Sequence, residues 1–162
     1  MKVLICSDTH RKDDLLKKVI EKESPIDMLI HLGDAEGSEE LYKNWLPLST
    51  RLLAVRGNND FFSNLDSERA VKIGESNCLL THGHYYNVSL DTEFLRKEAK
   101  ARGFDIAMFG HTHRPLYDTQ DGVTLLNPGS LSYPRQNGRE PTYMVLTTDR
   151  AGRPRVTLKK AQ

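Results

Sequence analysis

Short apolar runs, each closed by polar residues, recur along the chain and mark out its elements. Val3 to Cys6 is apolar and partly β-branched without alternation, which predicts a strand buried on both faces. Leu15, Leu16, Val19 and Ile20 then keep the spacing of one helical face among Lys and Glu, until Ser24-Pro25 ends the run. Asp27 to Leu32 predicts a second buried strand. A second helix opens at Ser38-Glu39-Glu40, with acidic residues in its first turn and Leu41, Tyr42 and Trp45 as its apolar side before Pro47. Arg51 to Val55 is the third strand. Strands and helices in this alternation predict a parallel sheet with helical crossovers.

Downstream the pattern changes. Ala70 to Ile73 and Asn77 to Leu80 flank Gly74-Glu75-Ser76 as a hairpin, and Asp91 to Arg102 predicts a charged helix with Phe94, Leu95 and Ala99 on its apolar side, closed by Gly103. Asp105 to Phe109 is another buried strand. Leu116 to Asp118 and Val123 to Leu126 read as short strands joined across Asp121-Gly122, and Thr142 to Thr148 with Arg155 to Lys159 as a closing hairpin across Ala151-Gly152. No repeat, low-complexity tract or linker interrupts this order. Residues 1–162 are therefore expected to form one domain, of a size that buries roughly 70% of its unfolded surface.

Composition narrows the function classes. Lys plus Arg number 23 against 22 Asp plus Glu, a net charge of +1, so there is no basic excess to support general nucleic-acid binding. Cys6 and Cys78 both lie inside apolar runs without metal-type spacing, which predicts buried thiols in a reducing compartment. No stretch approaches the roughly 20 apolar residues of a membrane span. The expectation is a cytoplasmic protein with no membrane partner.

Candidate chemistry enters at the strand ends. Five apolar strands run into Asp8/His10, Asp34, Asn58, His82 and His111/His113. In an open α/β sheet, residues just beyond the carboxyl ends of strands converge on one edge. A single strand-end Asp is ordinarily a cap or turn residue, but seven ligand-type side chains in the same structural position form a constellation. Gly33, Gly57 and Gly110 precede three of these clusters, where a missing Cβ lets backbone approach closely. Two carboxylates, four imidazoles and one amide oxygen exceed what one transition ion uses and suit two. The absence of thiolate points to Mn, Fe, Co, Ni or Zn rather than to a structural zinc or calcium site. Two such ions about 3.5 to 4 Å apart would activate a bridging water as hydroxide and clamp the attacking and leaving oxygens of a phosphoryl centre. No protein nucleophile is then needed, and the chain carries neither a Gly-x-Ser-x-Gly elbow nor a Walker loop.

Asp8-x-His10, Gly33-Asp34, Gly57-Asn58-x-Asp60, Thr81-His82-Gly83-His84 and Gly110-His111-Thr112-His113, in this order, resemble the calcineurin-like metallophosphoesterases. The short chain and Asn127-Pro128-Gly129-Ser130 resemble in particular their small, single-domain bacterial and archaeal phosphodiesterase branch. The resemblance implies an α/β fold, a four-layer α-β-β-α sandwich of two packed mixed sheets flanked by helices. It implies a dinuclear-metal-dependent phosphoesterase, foremost a phosphodiesterase. The alternatives are a phosphomonoesterase of the same fold, or a non-catalytic scaffold resembling the retromer subunit. On this pattern Asp8, His10, Asp34 and His113 hold the first ion, with Mn the leading choice. Asp34 bridges to the second, completed by Asn58, His82 and His111.

One position departs from that pattern. Asn59 stands where many relatives carry a His that assists the leaving group, and Asn supplies no proton near pH 7. His84 or a metal-bound water would have to take that role, so the expected catalytic set is Asp8, Asp34, Asn58, Asn59 and His84. Arg11, Arg56, Arg114 and Arg135 are the candidate substrate contacts, since guanidinium forks match phosphate oxygens; Asn127 and Ser130 are read as orienting substrate or the groups behind the ligands, or else as a turn that closes the hairpin. Arg139 follows in the same stretch as Arg135. Trp45 reads as packing, and Phe61-Phe62 as a pocket wall or an oligomer contact. The expected partners are a small phosphoester and a second copy of the chain.

Overall fold

The computed structural model describes residues 1–162. Two five-stranded mixed sheets face each other. The first, ordered β10-β9-β1-β2-β3, has β1 (Lys2–Cys6), β2 (Met28–His31) and β3 (Arg51–Ala54) parallel at one side, with β9 (Thr142–Thr148) and β10 (Pro154–Lys160) added antiparallel. The second, ordered β4-β5-β6-β8-β7, has β5 (Ser76–Thr81), β6 (Ile106–Met108) and β8 (Val123–Pro128) parallel, edged by β4 (Glu68–Ile73) and β7 (Pro115–Gln120).

Strand alternation explains the layers. Val3 and Ile5 point into the space between the sheets, where they meet Ile30, Leu53, Leu80 and Met108. Leu4 and Cys6, on the opposite face, meet Leu16, Val19 and Ile20 of α1 (Asp14–Glu23) and Tyr42 of α2 (Glu39–Lys43). On the far side, Leu79, Ala107 and Leu125 pack against Leu95 and Ala99 of α3 (Glu93–Ala101). Three apolar interfaces therefore separate four layers, helix, sheet, sheet and helix, as expected from the resemblance. Continuous apolar runs were the right signature because both faces of each central strand are covered.

The differences are local. Phe94 and Leu41, read as apolar-face residues, are about half exposed. The helix carrying Phe94 instead buries Arg96, whose guanidinium donates to the carbonyls of Val123 (2.8 Å) and Gln120 (3.3 Å) and pairs with Asp118, fastening α3 to the β7–β8 hairpin. Trp45 packs against the α1–α2 side of the first sheet. A 3-10 turn at His84–Tyr86 follows β5. No helix is long and apolar enough to cross a membrane.

Candidate metal centre

β1, β2 and β3 of one sheet and β5 and β6 of the other all end at the same edge, and their next residues carry Asp8, Asp34, Asn58, His82 and His111. Backbone bonds lace these loops together. Asp8 N–H donates to Gly33 O (3.0 Å), His10 N–H to Asp34 O (2.9 Å) and Gly110 N–H to His82 O (3.0 Å). Five of the ten non-glycine residues at positive φ are expected ligands: Asp8, His10, Asp34, His111 and His113. Left-handed backbone of this kind costs of order 1–3 kcal/mol per residue and clusters where function demands it. The close approach expected at Gly33, Gly57 and Gly110 is present at all three, and a Cβ on Gly33 would stand 2.5 Å from His82 Nδ1. A Cβ on Gly57 would stand 2.1 Å from Asp34 Oδ1, and one on Gly110 would stand 2.0 Å from Ser7 Oγ.

All seven expected ligands converge. Ligand atoms of Asp8, His10 and His113 lie within 4.8 Å of one another, as do those of Asp8, Asp34 and His82. Asn58 Oδ1 sits 3.0 Å from His82 Nε2 and 2.9 Å from His111 Nδ1. Asp8 is thus common to both groups, whereas the resemblance assigned the bridge to Asp34. Asp34 Oδ2 nonetheless reaches both sides, at 3.7 Å from His10 Nε2 and 3.4 Å from His82 Nε2.

The imidazoles are oriented from behind. His82 Nδ1 donates to Leu32 O (2.7 Å), His113 Nδ1 to Tyr133 O (2.7 Å) and His10 Nδ1 to Glu36 (2.7 Å). Those bonds assign the tautomer and turn each Nε2 lone pair inward, as an outer partner does for a metal-ligating histidine. Two of these inward atoms, His10 Nε2 and His113 Nε2, are then acceptors only 3.3 Å apart. Asp8 Oδ1, buried and accepting no hydrogen bond, lies 3.1 Å from His113 Nε2. Lone pairs aimed at lone pairs in a buried site are unfavourable unless a cation lies among them. The donor set therefore fits bound metal.

The electrostatics show the same demand for positive charge between the carboxylates. Burial raises the pKa of Asp8 and Asp34, but the neighbouring His113 and His82 for the first, and His82 with Asn59 for the second, outweigh it and hold both below the ordinary carboxylate value. His82 is pulled down by burial yet raised overall by Asp34 and Asp8. His111 and His84 are lowered, by burial first and then by the charge of His82. Both are consequently neutral near pH 7.

The other expected residues divide. Asn59 donates from its backbone to Asp34 Oδ1 and from its side chain to Asp34 Oδ2, both at 2.8 Å, so it clamps a ligand. His84 is half-buried, its ring tilted against Tyr85 with centroids 4.1 Å apart and 6.1 Å from that of His111, with Nδ1 unpartnered. Arg114 and Arg135 border a cavity of about 940 Å³ that opens from His10 and His113. Arg11, Asn59, Phe61 and Phe62 border another of about 370 Å³, and both cavities reach Glu36. Arg56 lines neither; it is half-buried, and its charge helps lower His84.

Of the readings open for Asn127 and Ser130, the structure has them supporting the ligand loops and not contacting substrate. Both are fully buried. The Asn127 amide donates to Gly110 O (2.9 Å) and Thr112 Oγ1 (3.0 Å), and Ser130 Oγ donates to Asp8 O (2.8 Å). They position the His111 and Asp8 loops and have no free group to offer a ligand.

Sequence reasoning gave no role to Asp60, His31 or Glu36. Asp60 is buried and accepts from the backbone N–H of Asp34 (2.8 Å), Gly57 (2.6 Å) and Glu36 (2.6 Å), pinning two ligand loops to each other. His31 shares a hydrogen bond with Thr9 Oγ1 at 3.1 Å beneath the Asp8 loop. Its place in an apolar strand was the available signal.

The calcineurin-like phosphoesterase superfamily domain matches residues 1–151. The chain belongs to that superfamily. Among its relatives is a protein of Bacillus subtilis described as a probable metallophosphoesterase, 31% identical over 92% of this chain and 85% of its own. A solved archaeal phosphodiesterase is 26% identical, with a TM-score of 0.74 over 98% of this chain and all of its own. A single mutant of Vps29 from Entamoeba histolytica, 22% identical, shares the fold with a TM-score of 0.77 over 99% of each chain.

Proposed function

We propose that the protein is a phosphodiesterase that uses two divalent transition ions, Mn foremost, held by Asp8, His10, Asp34, Asn58, His82, His111 and His113. The observation that carries the reading is the buried acceptor cluster itself. Unpartnered Asp8 Oδ1 and the facing Nε2 atoms of His10 and His113 demand positive charge where no Lys or Arg reaches them. When bound, such ions supply a low-pKa water and charge for the phosphoryl oxygens. Preference for a diester is supported by the two cavities that meet at Glu36, since a diester needs room for an arm on each side of phosphorus.

The chain's own residues have definite tasks in this reading. Asp60 and Asn59 hold Asp34 in place, and Ser130 and Ser7 hold Asp8 through its carbonyl and its Oδ2. Arg11 and Arg114 lie at the two cavity mouths, where guanidinium groups can take charge from substrate oxygens. His84, neutral near pH 7 and with an unpartnered ring nitrogen, is placed to take a proton rather than to give one to a leaving group.

Hydrolysis of bis(p-nitrophenyl) phosphate and p-nitrophenyl phosphate, after chelation and reloading with Mn, Co, Ni, Zn or Mg, tests the reading. Diester turnover that disappears with chelator and in Asp8→Asn, with the circular-dichroism melt unchanged, is expected. Turnover of the monoester alone would make it a phosphomonoesterase. Metal-loaded protein inert to both would favour the scaffold.

A further inference from the structure

The larger cavity beside the centre has one carboxylate on its wall, Glu36, and that group is engaged by His10 Nδ1 at 2.7 Å. Three guanidinium groups, of Arg114, Arg135 and Arg139, border the same cavity and make no ion pair. Lys12 adds a fourth cation, its Nζ 4.3 Å from the centroid of the Tyr133 ring that also borders the cavity. In a chain with a net charge of +1, this is a concentrated local excess.

The loop that carries these groups is fastened down. Ser130 Oγ accepts from the N–H of Ser132 (3.1 Å) and Tyr133 (2.8 Å), and Ser132 Oγ donates to Thr9 O (2.7 Å) and shares Lys12 O (3.0 Å). Arg135 N–H donates to His113 O at 3.0 Å, and Arg114 follows His113 directly. The backbones of two arginines are thus held in register with a metal-ligand candidate. A solvated surface charge needs no such arrangement, and forked donors around one concavity match phosphate oxygens.

From these contacts we infer that the substrate carries a second phosphate on the arm that lies in this cavity, received by Arg114, Arg135 and Arg139. This deepens the phosphodiesterase reading and rests on the scissile phosphate being held at the metal centre. Arg114 and Arg135 also border an adjoining cavity of about 520 Å³ with Val88, Phe109 and Leu116 on its wall, so the arm has space to continue past its anion.

Isothermal titration of the full, metal-loaded chain with glycerol bisphosphate, one phosphate at each end, against glycerol monophosphate tests it without any need for turnover. The bisphosphate should bind about tenfold tighter or more, and the Arg135→Gln/Arg139→Gln double variant should remove most of that advantage. Lysine at both positions should restore part of it. All three arginines are exposed, so the melting curve should not move. Equal affinities for the two compounds, or an advantage that survives the double variant, would overturn the inference. An arginine-dependent advantage in a protein that leaves bis(p-nitrophenyl) phosphate intact would uphold the anion site and sink the diesterase reading instead.

Discussion

Asp60→Asn removes one charge and exchanges one oxygen for an amide, and the structure says what that costs. The carboxylate serves three backbone donors, Asp34 and Gly57 through Oδ2 and Glu36 through Oδ1. Asn has a single oxygen. If it faces Asp34 and Gly57, its NH₂ points at the Glu36 N–H, donor against donor; turned round, it orphans the other two. Hydrogen bonds to a charged group contribute about 1.5–3 kcal/mol, and an unpaired buried donor costs about 1–3 kcal/mol, so a loss of roughly 2–4 kcal/mol is expected. The same change frees the loops that present Asp34 and Asn58. Outer partners of metal ligands typically carry a factor of about 10–100 in metal affinity. Urea unfolding in chelator reads the first quantity and competition with a fluorescent metal indicator reads the second. If the variant matched the parent within about 0.5 kcal/mol and about threefold in metal affinity, Asp60 would not be the brace described, because surface-like substitutions fall in that range.

Two further outcomes follow from single contacts. Glu23, buried at the end of α1, accepts from Tyr143 and Lys159, both at 2.7 Å, and pairs with Lys2 at 3.0 Å; burial pushes its carboxyl up, but these partners bring it from 4.5 down to about 2. A depressed folded-state pKa means that the stabilisation is complete above 4.5 and disappears as pH falls towards about 2. Solvent at Lys2 and Lys159 discounts the full shift, leaving about 1–2 kcal/mol for Glu23→Gln at neutral pH. Urea midpoints of the two proteins should converge between those pH values, and a pH-independent gap would contradict the pairing. Asn59→His should accelerate alkyl diesters at least about tenfold more than nitrophenyl diesters, since a proton donor matters most for a poor leaving group. Equal effects in steady-state assays of both substrate types would show that Asn59 limits nothing beyond its clamp on Asp34.

The central strands and the ligands were legible for the same reason. A β-strand buried on both faces must be written in apolar residues, so a carboxylate or imidazole at its end stands out against the background. That contrast exposes Asp8, Asp34, His82 and His111. It cannot expose Asp60, whose acceptors serve loops 24 to 26 positions away, or Arg96, which finds its carbonyls on a hairpin 24 to 27 positions further on. Polarity in a loop or on a charged helix carries no contrast. Asn127 and Ser130 were legible only as alternatives, substrate contact, support for the ligands or a closing turn, and burial decides for support: amide and hydroxyl are spent on the backbone they brace.

His31 anchors a hydrogen-bonded frame behind the ligands. Gly33 N–H donates to its Nδ1 at 3.3 Å, so Nε2 carries the proton and donates to Thr9 Oγ1 at 3.1 Å. Tyr42 O–H donates to the Asp13 carboxylate at 2.6 Å, so its oxygen is left to accept from Thr9 at 2.8 Å. Every proton in this buried run therefore points from His31 towards Asp13. The direction is compatible only with a neutral imidazole, because a second proton on Nδ1 would confront the Gly33 N–H. Burial, outweighing the pull of Asp8, Asp60 and Asp13, lowers the ring to about 4 and keeps it neutral. Thr9 lies between Asp8 and His10, and Gly33 precedes Asp34, so one uncharged ring braces both loops that carry the carboxylates without competing for the metal. A charged residue there would add a permanent field to the centre, whereas a purely apolar one would leave the Thr9 hydroxyl without its donor.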